Sequence, residues 1–386
     1  MNLSTAQPAP SPWPSTHSLD SIQILRAIAA LAVLLDHISS ELLESLRWQN
    51  AVPRFMVGVA GVDLFFVISG FVMVYASEPL FGVSGAPRAF FLRRLARIVP
   101  FYWTTTFVLL AYGVAARVDF ASSWEAARWI IPSFLFIPYP RPDGLMLPYQ
   151  YVGWTLNYEV MFYLIFAGAI LLPRWRAVLV TTGLLVALSV TGLLGQELPG
   201  TVAFWCDPIV LEFAFGMFAA LAYRSGVTMS PLAGGALVAA GIAALASTEI
   251  WGYRGEWRVI EFGLPSAAML VGTTLTRSAG ALGPISRSLV FLGDASYAIY
   301  LVHQVVFSVA RQSIGRLVDF SFYPRSYALI LLVSSLAVAI LSYRSFEQPI
   351  TRALQRRIVR PAGTESGTSL AGEQADAVAI KPAAQQ

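Results

Sequence analysis

Apolar runs of membrane-spanning length recur along the whole chain. Crossing a bilayer as a helix takes roughly 20 apolar residues. Stretches of that kind lie near 21–39, 56–76, 98–116, 154–172, 177–195, 203–223, 230–248, 259–275, 289–309 and 326–344. The pattern predicts an all-α fold, a polytopic integral membrane bundle of about ten transmembrane helices. Another apolar run, Trp129–Pro138 (WIIPSFLFIP), is too short to cross and carries Pro132 and Pro138. It reads as a re-entrant or interfacial segment. Residues 1–20 lack the basic start and apolar stretch of a signal peptide and read as a flexible arm. The membrane body is expected over 21–350, and a basic and then disordered tail over 351–386.

Composition agrees with the pattern. The 386 residues are 56% hydrophobic and 12% charged, about half the charged fraction of a soluble domain. The net charge of +4 comes from arginine, since Lys381 is the lone lysine. In lipid that basicity speaks of orientation rather than nucleic acid. With ten spans and the amino terminus inside, Arg88, Arg93, Arg94 and Arg97, then Arg174 and Arg176, Arg224, Arg277 and Arg287, and finally Arg352, Arg356, Arg357 and Arg360 fall on the inner side. Both termini are thus expected to be cytoplasmic. Counting Trp129–Pro138 as a span would invert everything after it. One cysteine, Cys206, excludes an internal disulfide, and no Cys/His cluster suggests a metal. No repeat period is evident.

Ionisable residues inside apolar stretches carry the chemistry, because a charge at mid-membrane costs about 2.5–3.5 kcal/mol and is kept for a reason. In SIQILRAIAALAVLLDHIS, Arg26 and His37 are eleven positions apart. That spacing puts them about 20° apart on one helix face and about 16 Å apart along its axis. Asp36 and His37 lie toward the outer end. Asp63, Glu159, Asp207, Glu212 and Glu261 are expected near the same end, with His303. A polar cavity with acid/base capacity is the sharper reading; snorkelling at the interface is the plainer one. The opposite end offers Arg93, Arg94 and Arg97 in RAFFLRRLARIVPFYW. Guanidinium forks there suit a phosphorylated donor, and equally a topological anchor.

In order along the chain, Arg26 with ten residues before His37, GVDLFFVISGF at 61–71, RRLARIVPFYW at 93–103, WTLNYE at 154–159, SYAIYLVH at 296–303 and FEQP at 346–349 together resemble the membrane-bound acyltransferase-3 family. The resemblance covers about residues 20–350 and is nearest to the branch that acetylates bacterial exopolysaccharide. It implies an O-acyltransferase of the bacterial cytoplasmic (inner) membrane. The acyl group, acetyl first of all, would pass from cytosolic acyl-CoA (acetyl-CoA or another) to a hydroxyl of a polysaccharide or lipid-linked sugar, with no metal. By the same resemblance His37 is the catalytic residue, supported by Glu159, and Arg26, Arg93, Arg94 and Arg97 handle the coenzyme. Asp36 is expected to join the catalytic group, and Asp63, Trp154, Tyr297 and His303 are expected to bind the acceptor.

A sugar hydroxyl needs a base, and imidazole suits that role. Asp36 or Glu159 is expected to orient the His37 ring. Direct attack and an acyl-histidine intermediate both stay open. His303 is as well read as an interhelical hydrogen-bonding group. The rival class is a transporter or flippase of glycan intermediates, for which intramembrane acids are also apt. A scaffold of a polysaccharide assembly machinery ranks last, because it leaves these groups without purpose.

Overall fold

The computed structural model describes residues 17–45, 56–116, 123–141, 143–195, 198–253, 255, 257–276, 283–314 and 323–359. Most of the expected amino-terminal arm and the expected disordered tail lie outside the described residues. Among these, every element is helical and no strand forms.

Helices α1 (His17–Ser45), α2 (Ala60–Ala76), α3 (Ala86–Ala115), α4 (Ser123–Phe134), α5 (Trp154–Ala169), α6 (Arg174–Leu194) and α7 (Gly200–Trp205) make up the first half of the chain. They are followed by α8 (Leu211–Arg224), α9 (Pro231–Trp251), α10 (Leu264–Thr274), α11 (Pro284–Asp294), α12 (Ser296–Val309), α13 (Pro324–Ser342) and α14 (Gln348–Val359). Starts are marked where sequence chemistry favours them. Pro87, Pro231, Pro265, Pro284 and Pro324 each stand in a first turn, where a missing N–H costs nothing. The Ser230 hydroxyl accepts from the Ala233 amide at 3.2 Å and caps α9.

Seven helices of the described residues are long and apolar enough to cross a membrane, or eight if the pair α11–α12, bent by 67°, counts as one. The segment around α5 and the 16-residue apolar helix Val259–Thr274 fall short of that length, about 24 Å each at 1.5 Å per residue. About ten crossings is therefore more than length alone supports. Trp129–Pro138 divides between the end of α4 and a turn in which Phe136 takes a positive φ of 58°. This turn packs against the middle of α3. Tyr102 donates to the Ser133 carbonyl at 3.1 Å and Trp103 to that of Phe134 at 2.9 Å.

Close helix contact is made possible by glycine. A Cβ on Gly70 would stand 2.0 Å from the Phe213 carbonyl oxygen, and one on Gly216 only 1.8 Å from that of Val67. The backbones of α2 and α8 therefore touch, as small residues allow in lipid. Gly293 does the same at the end of α11, where a Cβ would meet the Gln23 carbonyl at 1.9 Å. That contact seats the α11–α12 break beside the turn carrying Arg26. At the far end Arg311 pairs with Glu41 at 2.9 Å, so α12 runs parallel to α1.

Candidate active site

Helix α1 carries both ends of the site on one continuous rod, Arg26 in its third turn and His37 three turns on. Because α12 lies parallel beside it, a side chain at the level of His37 meets one near the end of SYAIYLVH. His37 Nδ1 is 2.8 Å from His303 Nε2, with the rings stacked at 4.9 Å between centroids. His303 is fully buried, and its Nδ1 is 3.0 Å from the Ile299 carbonyl. His37 is only partly buried. Tyr151 meets its ring edge-on at 5.3 Å. His37 Nε2 has no hydrogen-bond partner among the described residues.

The ring partner of His37 is therefore His303, not Asp36 or Glu159, which corrects the expected orienting role of the carboxylates. Sequence spacing places Asp36 about 100° round the helix from His37, so an adjacent residue cannot share its face. Glu159 belongs to a different neighbourhood. It accepts from Ser69 at 3.2 Å and from Tyr163, and its charge bears on Arg26 and Arg94.

Those arginines form the other end. Arg97 pairs with Glu347 at 2.8 Å, with the Glu347 side chain fully buried and that of Arg97 27% exposed. The Arg97 guanidinium also lies over the Tyr297 ring at 5.9 Å, while the Tyr297 hydroxyl donates to the Ile98 carbonyl at 2.7 Å. Arg26 donates to Gln23 at 3.0 Å and feels the charges of Arg97, Asp294, Glu347 and Glu159. Among the described residues neither Arg26, Arg93 nor Arg94 has a carboxylate in ion-pair contact. Guanidinium groups without a paired carboxylate at a half-buried site are chemically suited to accept an anion.

Between the two ends runs a column of hydroxyls. Tyr300 donates to the Val152 carbonyl at 2.7 Å and lies 3.0 Å from Thr155 Oγ1. Tyr297 and Tyr300 share the α12 face, one turn apart. Fully buried Gln150 accepts from Thr105 at 2.8 Å and Thr106 at 3.0 Å and donates to the Leu301 carbonyl at 2.9 Å. It ties the loop before Tyr151 to both α3 and α12.

Asp63 does not line this column. It is fully buried and held by Arg258 through two bonds of 2.9 and 2.7 Å. Glu212 is buried within reach of that pair, and Trp154 packs against Phe66 and Tyr158 with Arg258 over its ring at 5.9 Å. Of the acids expected beside the histidines, Glu159 thus accepts from Ser69 and Tyr163 instead, and Asp63 pairs with Arg258. Glu347, Ser69 and Gln150 were not singled out from sequence. Glu347 stood in the FEQP motif and Ser69 in VISGF, so the signal was there without a role attached. Gln150 carried none.

A family profile described as an acyltransferase domain (Acyl_transf_3) matches residues 19–344. The exopolysaccharide production protein ExoZ of Rhizobium meliloti is 32% identical over 79% of this chain and 93% of its own. The acyltransferase MdmB of Streptomyces mycarofaciens is 27% identical over 91% of this chain and 96% of its own. The peptidoglycan O-acetyltransferase OatA of Listeria monocytogenes is 24% identical, and this chain spans 56% of its length. No solved structure matches.

Proposed function

Because the chain belongs to the acyltransferase family and is an O-acyltransferase, we propose that it moves an acyl group, acetyl first of all, from acyl-CoA to a sugar hydroxyl of an exopolysaccharide or related envelope glycan. One observation carries this reading. A partly buried imidazole and Arg26, the α1 member of an arginine cluster completed by Arg93, Arg94 and Arg97 of α3, stand on one face of α1, about 16 Å apart. That separation is of the order of an extended pantetheine arm.

In this mechanism the amino-terminal end of α1 faces the cytosol. Arg26, Arg93 and Arg94 grip the phosphates of the coenzyme, with Arg97 held beside them by Glu347. The thioester arm follows the hydroxyls of Tyr297, Tyr300 and Thr155 toward His37. The acceptor hydroxyl approaches from the other face. His37 Nε2 removes its proton as the oxygen attacks the thioester carbonyl, the C–O bond forms, and the C–S bond breaks. The imidazolium returns the proton to the departing sulfur. Attack first by His37 itself, through an acyl-imidazole, uses the same nitrogen and the same geometry. The exopolysaccharide acceptor rests on the relative matched over nearly its full length.

Purified protein given radiolabelled acetyl-CoA and an oligosaccharide acceptor tests the proposal. Wild type should label the acceptor, and His37→Ala should lose at least 10²-fold while still eluting as a folded species. Undiminished labelling by His37→Ala would remove His37 from the chemistry. Absence of labelling by wild type, with a range of glycan acceptors, would favour transport over transfer.

A further inference from the structure

We propose that His303 is the positioning residue of the reaction, fixing the protonation pattern of His37 through a one-way chain of hydrogen bonds. This rests on the reading of His37 as the reactive base and says how that base is held ready.

The chain begins at a group that can only accept. The Ile299 carbonyl lies 3.0 Å from His303 Nδ1, so that nitrogen carries the hydrogen. A neutral imidazole bears one N–H and one lone pair. His303 Nε2 therefore presents its lone pair, and it faces His37 Nδ1 at 2.8 Å. His37 must donate there. The lone pair of His37 is thereby left on Nε2, the ring nitrogen without a partner among the described residues. A backbone carbonyl on α12 thus decides which nitrogen on α1 is basic.

The burial supports this direction. His303 is fully enclosed, wedged between Tyr300 at 6.2 Å and Phe307 at 5.5 Å. No carboxylate is in hydrogen-bond contact with it among the described residues. An enclosed ring without a counter-charge is kept neutral by the cost of burying charge. The rings around the pair are Tyr300 and Phe307 of α12 against His303 and Tyr151 against His37, all uncharged. In hydrolases with a buried carboxylate behind the histidine, the same tautomer is set by an anion. Here a neutral imidazole does it. When His37 takes the acceptor proton at Nε2, its Nδ1–H donates more strongly to His303, and the charge stays on His37 until the leaving sulfur takes the proton. No proton needs to pass from His37 to His303.

The discriminating variants are His303→Phe, which keeps a ring and removes the acceptor, and His303→Gln, whose amide oxygen can take the Nδ1–H. His303→Phe should lower kcat by about 10²-fold or more with the donor KM within about threefold of wild type. His303→Gln should recover at least tenfold of that loss. A second readout is 15N NMR of histidine-labelled protein in micelles, where wild-type His37 should show hydrogen on Nδ1 and His303→Phe should give a mixture of tautomers. Wild-type kcat in His303→Phe, or equal loss in Phe and Gln with an unchanged His37 tautomer, would overturn the inference. If His37→Ala stays active as well, the failure lies with the reading of His37; if only His303→Phe stays active, it lies with the chain proposed here.

Discussion

Asp63 closes the first turn of α2, and both of its oxygens are taken up by the guanidinium of Arg258. Sequence shows an acid in an apolar helix, and position along the membrane groups it with other acids. What it cannot show is a partner 195 residues away. A buried pair of this kind is costly to break from one side, about 3–5 kcal/mol, because the remaining charge stays buried. Arg258→Met should therefore lower the melting temperature in detergent markedly, and Arg258→Met with Asp63→Asn should recover part of the loss. A melting curve of Arg258→Met that overlies wild type would show the pair to be dispensable. His37 teaches the same lesson from the other side. Its place on α1 and its face relative to Arg26 follow from an eleven-residue interval. Its ring partner is decided by how α12 lies beside α1, which no spacing within one helix reveals.

Among the elements, the tightest contact is that of α2 with α8, and it depends on Gly70 and Gly216 opposing carbonyls at distances no side chain tolerates. Gly216→Ala should destabilise by more than the about 1–3 kcal/mol typical of overpacking, since backbone is what the new methyl meets. Gly183, exposed on α6 with open space around its Cα, is the control. Gly183→Ala should leave stability unchanged or raise it by about 0.5–1 kcal/mol. Comparing thermal unfolding of the two variants checks this; equal stability would mean α2 and α8 sit further apart than described. The existence of the helices was legible from apolar runs, because every backbone group in lipid must be satisfied within its own segment. Their bends were less so. The 67° break at Ala295 falls inside a run that reads as one span, and α3 passes through Pro100 without ending.

For the whole molecule, the parallel course of α1 and α12 fixes parity. An odd number of crossings must lie between them, and α2, α3, α5, α6, α8, α9 and α10 supply seven. Counting α4 as an eighth would reverse α12 and part Arg311 from Glu41. Leaving out the two short helices α5 and α10 together gives five, also odd, so α5 and α10 either both cross or both do not. In a Cys206→Ser background, Leu145→Cys and Arg176→Cys flank α5 at exposed positions. Impermeant maleimide should reach them from opposite faces of the membrane, and labelling of both from one face would remove α5 as a crossing. The same through-bundle order makes donor affinity a matter of charge. Arg94→Gln should raise the acyl-CoA KM several-fold and flatten its salt dependence, with kcat largely kept, as steady-state kinetics over a salt series can determine.

Proteoliposomes holding an oligosaccharide acceptor inside, with labelled acetyl-CoA supplied only outside, put the two-ended account to its most direct trial. The wild-type protein should deliver label to the enclosed sugar and His37→Ala should not. Label accumulating only on acceptor placed on the same side as the coenzyme would mean that the arginine cluster and His37 do not serve opposite faces of the bilayer.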